Sequence, residues 1–100
     1  MTSIYKDKNP KTPKQMERHL KGISNHWRIS MLILISKKKS LTLDQITEDL
    51  HMNIKTASEH ARRLTLAGLV EKKYVGRTVE HSLSPYGKIF VTFLQTFQYS

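Results

Sequence analysis

Cysteine is absent from the 100-residue chain. That excludes a disulfide framework, thiolate metal ligands and a cysteine nucleophile. Acidic side chains are scarce: 8 Asp+Glu stand against 17 Lys+Arg, a formal net charge of +9. A domain this basic attracts polyanions, whether DNA, RNA or an anionic membrane face. Long hydrophobic runs are missing too. The longest, MLILI at 31–35, falls well short of the roughly 20 apolar residues that span a bilayer. The opening residues are polar and lysine-dotted, without the apolar stretch of a secretion signal, so a cytoplasmic location and no membrane partner are expected. No G-x-S-x-G elbow or glycine-rich phosphate loop occurs, and the few acids are scattered among basic positions, so neither an enzyme nor a cofactor is expected.

What is present organises itself into short elements. One hundred residues without a long linker make one domain. A chain this short buries only about two-thirds of its unfolded surface, so its core is thin and self-association would add apolar burial. Residues 1–13, MTSIYKDKNPKTP, hold two of the three prolines and several lysines and read as a flexible basic arm. Its lysines, Lys6, Lys8 and Lys11, with Lys14 just beyond, serve either phosphate contact or solubility. The remainder, 14–100, is predicted to be the folded domain.

Within it, Met16, Leu20 and Ile23 fall at helical spacing over 14–23. Ser24 or Asn25 caps a second helix to about Lys37, with Trp27, Met31, Leu32, Leu34 and Ile35 inward. The lysines at 37–39 suit the negative end of its dipole. In TLDQITEDL, Thr42 and Gln45 form a capping box, and Leu43, Ile46 and Leu50 a stripe. Only HMNI separates this helix from one capped by Asn53 and running to about Ala67, which spells helix-turn-helix. Its inner positions are Ala57, His60, Ala61 and Leu64. LVEKKYV and TVEHSLS alternate around a Gly76-Arg77 turn, a β-hairpin. Ser84 as cap and Pro85 at the first helical position open a last helix over 85–97. The expected fold is mainly α with a small β-hairpin (α+β), in the order α-α-α-α-β-β-α: a winged helix-turn-helix.

The helix after the turn carries Lys55, Thr56, Ser58, Glu59 and Arg62 on its outer face. A helix about 10–12 Å across enters the B-DNA major groove when that face is polar and the opposite one anchored. Arg62 and Lys55 suit phosphates or guanine edges. Thr56 and Ser58 suit a phosphate or a thymine methyl, and Glu59 a cytosine amino group or plain repulsion of phosphates. The hairpin adds Lys72, Lys73 and Arg77, the last placed to reach a minor groove or a phosphate.

NHWRISMLILI, LTLDQITEDLHMNIKTASEHARRLTLAGLVEKKYVGRTVEHSLSPYG and the final helix together resemble the ArsR-like winged-helix transcriptional regulators, over about residues 15–97. Arg28 with its apolar run, His60, Ala67-Gly68-Leu69-Val70 and Ser84-Pro85-x-Gly87 carry the likeness. It implies a DNA-binding transcriptional regulator, a repressor, that binds double-stranded DNA through a recognition helix and wing, as a homodimer joined by its terminal helices, 14–23 and 85–97. Met16, Leu20, Ile23, Phe90, Phe93, Leu94 and Phe97 are the candidate interface. The chain departs from the family at Glu59, where basic or neutral residues are common, and at Arg63, where an apolar residue is usual. Arg63 is therefore expected to touch phosphate or pair with an acid. Thr42 and Asp44 stand where metal-sensing relatives carry thiolates, and no two of the five histidines pair on one helix face, so no metal is expected. No residue pattern identifies a small-molecule effector. The competing reading is a winged helix used as a protein-interaction module in a larger transcription or RNA assembly.

Overall fold

Local capping sets each helix boundary in the computed structural model, which describes residues 9–100. α1 (Pro13–Ile23) starts at Thr12, whose hydroxyl accepts from the Gln15 amide while the Gln15 side chain accepts from the Thr12 amide. α2 (His26–Lys38) is capped by Asn25, whose Oδ1 accepts from Trp27 and Arg28. α3 (Leu43–Leu50) carries the Thr42–Gln45 capping box, and α4 (Ile54–Leu66) the Asn53 cap. α5 (Pro85–Gln98) begins at Ser84, whose Oγ accepts from Gly87. The caps of α2 to α5 are the predicted ones, with Asn25 chosen over Ser24, while the Thr12 cap of α1 was not foreseen. Each cap works across two or three residues, which is why sequence suffices to find it.

The tight α3–α4 turn is made by His51 rather than by glycine. His51 sits in the left-handed region at φ 54°, and the next amide, that of Met52, returns to Thr47 O at 3.0 Å. α4 is thereby folded back on α3, where Ala57 and Ala61 are small enough for close approach. Met31, Leu32, Ile35, Ile46 and Leu64 fill the centre, completed by Leu69, Val70 and Val91. α2 runs through this core and touches every layer around it.

The sheet holds one strand more than the expected hairpin. β2 (Val70–Val75) and β3 (Thr78–Leu83) pair across the Gly76-Arg77 turn, with Gly76 at φ 61°. A two-residue β1 (Leu41–Thr42) adds to the other edge of β3, giving the antiparallel order β1-β3-β2. A two-residue strand has no periodicity to read. Thr42 is extended because it caps α3, and that conformation serves the sheet as well. Beyond Val70, β2 is exposed on both faces, so the hairpin projects as a wing.

Three buried polar side chains tie these layers together. His19 Nδ1 donates to Ala67 O at 2.6 Å, joining α1 to the end of α4. Arg28 Nε donates to Gly22 O at 2.6 Å, and its NH1 donates to His60 Nδ1 at 3.0 Å. His81 Nδ1 donates to Leu41 O at 3.1 Å beneath the sheet. Residues 1–8 of the expected arm lie outside the described residues. Lys11 is held against α5, donating to the Tyr86 hydroxyl at 2.6 Å with its ammonium 4.3 Å from the ring centroid. Among the described residues no helix is long and apolar enough to cross a membrane, and no three His, Asp or Glu side chains converge as metal ligands do.

Two of these histidines make stability depend on acid. Burial, then the neighbouring Arg28 cation, holds the His60 imidazole below its ordinary value. Burial does the same to His81, partly offset by its bond to Leu41. The unfolded imidazoles, near about 6.5, take up protons that the folded ones resist. Stability contributed by the neutral forms is therefore present above that value and is lost as pH falls through it toward the folded values. Thermal melts from pH 8 to 5 should show the midpoint dropping below about pH 6.5, with a shallower drop in His81→Gln. Equal slopes in the two proteins would refute this assignment.

Candidate nucleic-acid interface

α4 presents two unlike faces because its apolar positions recur at 57, 61 and 64. Those three are buried, and His60 beside them is half-buried against Arg28. The opposite face leaves Lys55, Thr56, Ser58, Arg62 and Arg63 exposed. Glu59 lies among them and is engaged. Its Oε2 accepts from Arg62 Nε at 3.2 Å, and its Oε1 accepts from Arg62 NH2 at 2.8 Å and from Arg63 Nε at 3.1 Å. The hydrogen bonds from Arg62, then Arg63, keep the Glu59 carboxyl below the usual carboxylate range, and Glu59 in turn raises Arg62. The exposed face thus carries an ion-paired trio with a net single positive charge.

Between α4 and the wing lies an open cleft of about 350 Å³. Ser58 and Ile54 line it from α4, Thr42 and Asp44 from the start of α3, and Lys72, Tyr74, Arg77 and Thr78 from the wing. Lys72 and Arg77 are therefore brought beside Ser58. Lys73 is not: it pairs in register with Glu80, and successive strand residues face opposite ways. Arg63 is also turned elsewhere, toward a smaller concavity shared with Arg18, Lys21 and Arg28. Tyr74, Thr78 and Thr42 line the cleft between α4 and the wing without having been singled out from the sequence as DNA contacts. The signal for Tyr74 was available, since it sits two residues from Lys72 on the same strand face. For Thr42 there was none, because its proximity depends on how α3 meets the sheet.

The terminal helices divide the expected interface residues. Ile23 and Leu94 are buried inside the protomer and Phe90 packs partly on the core, so these three are occupied within the chain. Met16 and Leu20 on α1, and Phe93 and Phe97 on α5, are exposed, Leu20 by 52% and Phe97 by 66%. The Phe93 and Phe97 rings stack with centroids 5.8 Å apart. α1 and α5 meet where His19 lies 4.9 Å from the Tyr86 ring and 6.4 Å from that of Phe90.

No protein-family model and no curated protein matches the sequence. Solved structures do match the architecture. HlyU from Vibrio cholerae superposes with a TM-score of 0.80 at 22% identity, over 92% of this chain and 100% of that one. The transcriptional repressor PagR of Bacillus anthracis gives 0.75 at 20% identity, over 81% and 93%. The homodimeric winged helix-turn-helix DNA-binding domain of Mb0332 from Mycobacterium bovis, a possible ArsR-family transcriptional regulator, gives 0.77 at 20% identity, over 91% and 90%. With α3 and α4 as the helix-turn-helix and β2–β3 as its wing, this chain has the winged helix-turn-helix fold that is similar to those transcriptional regulators.

Proposed function

We propose that this protein is a DNA-binding transcriptional regulator, a repressor, that grips duplex DNA as a homodimer through α4 and the wing. The observation carrying this reading is the cleft in which α4 and a cationic hairpin converge. A B-DNA major groove about 12 Å wide receives a helix the width of α4. Lys55, Thr56, Ser58, Glu59 and Arg62 then face base edges and flanking phosphates. Lys72 and Arg77 take the strand that passes through the cleft, while Lys73 and Arg63 add contacts at its margins. Net charge +9 supplies the sequence-independent attraction.

Exposed apolar side chains on the terminal helices support the homodimer. Met16 and Leu20 on α1 and Phe93 and Phe97 on α5 are apolar side chains that a monomer leaves wet. Pairing them across a two-fold axis sets the two α4 helices about 34 Å apart, in successive major grooves, over an inverted repeat. An operator overlapping a promoter would be blocked by such a dimer, and the likeness to the transcriptional repressor PagR favours that direction.

Selection from random duplexes tests the reading, with recovery of an inverted repeat as the expected result. Contacts to about six phosphates per dimer should give log affinity a slope near −5 against log salt. Arg77→Ala should flatten that slope by about 2, one phosphate per protomer. Arg62→Ala should weaken binding to the selected site by about ten- to a hundredfold and relax its base preference. A protein-interaction module would show no selected motif, a slope near zero and indifference to both changes.

A further inference from the structure

Glu59 is the one acidic residue in α4, and its geometry is more specific than a solvated surface charge requires. It grips Arg62 through that residue's Nε and NH2 together, one carboxylate oxygen to each. That edge of the guanidinium is the fork with which arginine holds a phosphate or the O6/N7 edge of guanine. The same carboxylate also takes the Nε of Arg63. The acid thus occupies, with phosphate-like geometry, the Nε–NH2 fork of Arg62 and the Nε of Arg63, donors that α4 would otherwise offer to a DNA backbone.

We propose that Glu59 is a specificity-determining residue that withholds Arg62 and Arg63 from phosphates of arbitrary sequence and releases them at a G·C pair. The inference rests on the DNA-binding reading above. Its physical basis is the difference between the two kinds of contact. Non-specific binding is almost wholly phosphate electrostatics, and to join it Arg62 must leave Glu59, whose charge then faces the backbone unpaired. A G·C pair removes that conflict. In the major groove guanine presents two acceptors to Arg62, and cytosine presents an amino donor to Glu59. Both partners of the ion pair are then satisfied at once. An exposed intrahelical ion pair opens easily, because water screens it and side-chain entropy opposes it. The trio can therefore rearrange at the right site without a barrier built into the fold.

The test compares wild type, Glu59→Gln and Asp49→Asn on the selected operator and on a scrambled duplex, across a salt series. Asp49 is exposed on α3 and removes one negative charge without touching the trio. Glu59→Gln should raise affinity for the scrambled duplex about tenfold, steepen its salt slope by about 4, two phosphates per protomer, and flatten the preference for cytosine at the contacted position. Asp49→Asn should do much less. In an Arg62→Ala, Arg63→Ala background the Glu59→Gln effect should vanish, since the arginines carry it. The proposal is overturned if Glu59→Gln matches Asp49→Asn, or if its effect persists undiminished in that background. Wild type binding no duplex at all would instead remove the DNA reading itself, with the inference falling as a consequence.

Discussion

Phe93→Glu is expected to lower affinity for a two-fold operator by about a hundred- to ten-thousandfold while leaving each protomer folded. Phe93 is 56% exposed, on the face of α5 turned away from the core, and its ring stacks on that of Phe97. A charge there meets water in the monomer, so its effect on protomer stability falls within the small range of surface substitutions. In a dimer it would be buried against an apolar partner, which disfavours association strongly. With the two α4 helices no longer linked, the second half-site is not captured at high effective concentration, and roughly 10²–10⁴ of avidity disappears. Light scattering and titration of full and half operators would check this, with half-site affinity unchanged. Persistence of the dimer in Phe93→Glu would show that another surface holds it. Leu94→Glu provides the contrast. Leu94 is buried within the protomer, so a charge there should unfold the chain instead.

Gly87→Ala is the substitution expected to damage the fold most for a single added methyl. A Cβ at Gly87 would fall far inside van der Waals distance of the Leu69 carbonyl oxygen, and Leu69 is fully buried backbone at the entrance to β2. Neither side can retreat. Ser84 holds the same junction from both directions, donating Oγ–H to Gly68 O at 2.6 Å and its amide to Leu69 O at 3.1 Å. Overpacking against flexible side chains typically costs about 1–3 kcal/mol, and here the obstacle is main chain, so a loss of about 3 kcal/mol or more is expected. For a domain of this size that lowers the melting midpoint by roughly 12 °C or more. Gly76→Ala is the control: a Cβ there meets nothing within 4 Å, and only the positive φ of 61° opposes it. Its cost should stay near about 1 kcal/mol. Equal melting points for the two variants would show that the α5–β2 junction relaxes.

That junction also shows where sequence reading stops. Ala67-Gly68-Leu69-Val70 and Ser84-Pro85-x-Gly87 stand out as separate motifs, yet they are two halves of one contact between the start of β2 and the start of α5. Gly22 reads as a weak point near the end of α1. In the structure it is the crossing point of α1 over Ala67, where a Cβ would strike that residue's own. Glu59 stood out on the polar face and, with Arg63, as a departure from a family's habits, and the ion-paired trio that joins them to Arg62 gives both a partner.

Element order, helix starts, the hairpin turn and the polar face of α4 were determined by the sequence alone. Each depends on groups within four residues of one another, through caps, a two-residue turn or helical periodicity, and such signals survive without a third dimension. The tertiary structure decided the rest: β1 against β3, the bonds of His19, Arg28 and His81, the turning of Ile23 and Leu94 inward, and the meeting of Ser58 with Lys72 and Arg77. Those contacts join residues as far as 48 positions apart. Nothing local encodes them, because they exist only once packing of the apolar core has chosen which surfaces face each other.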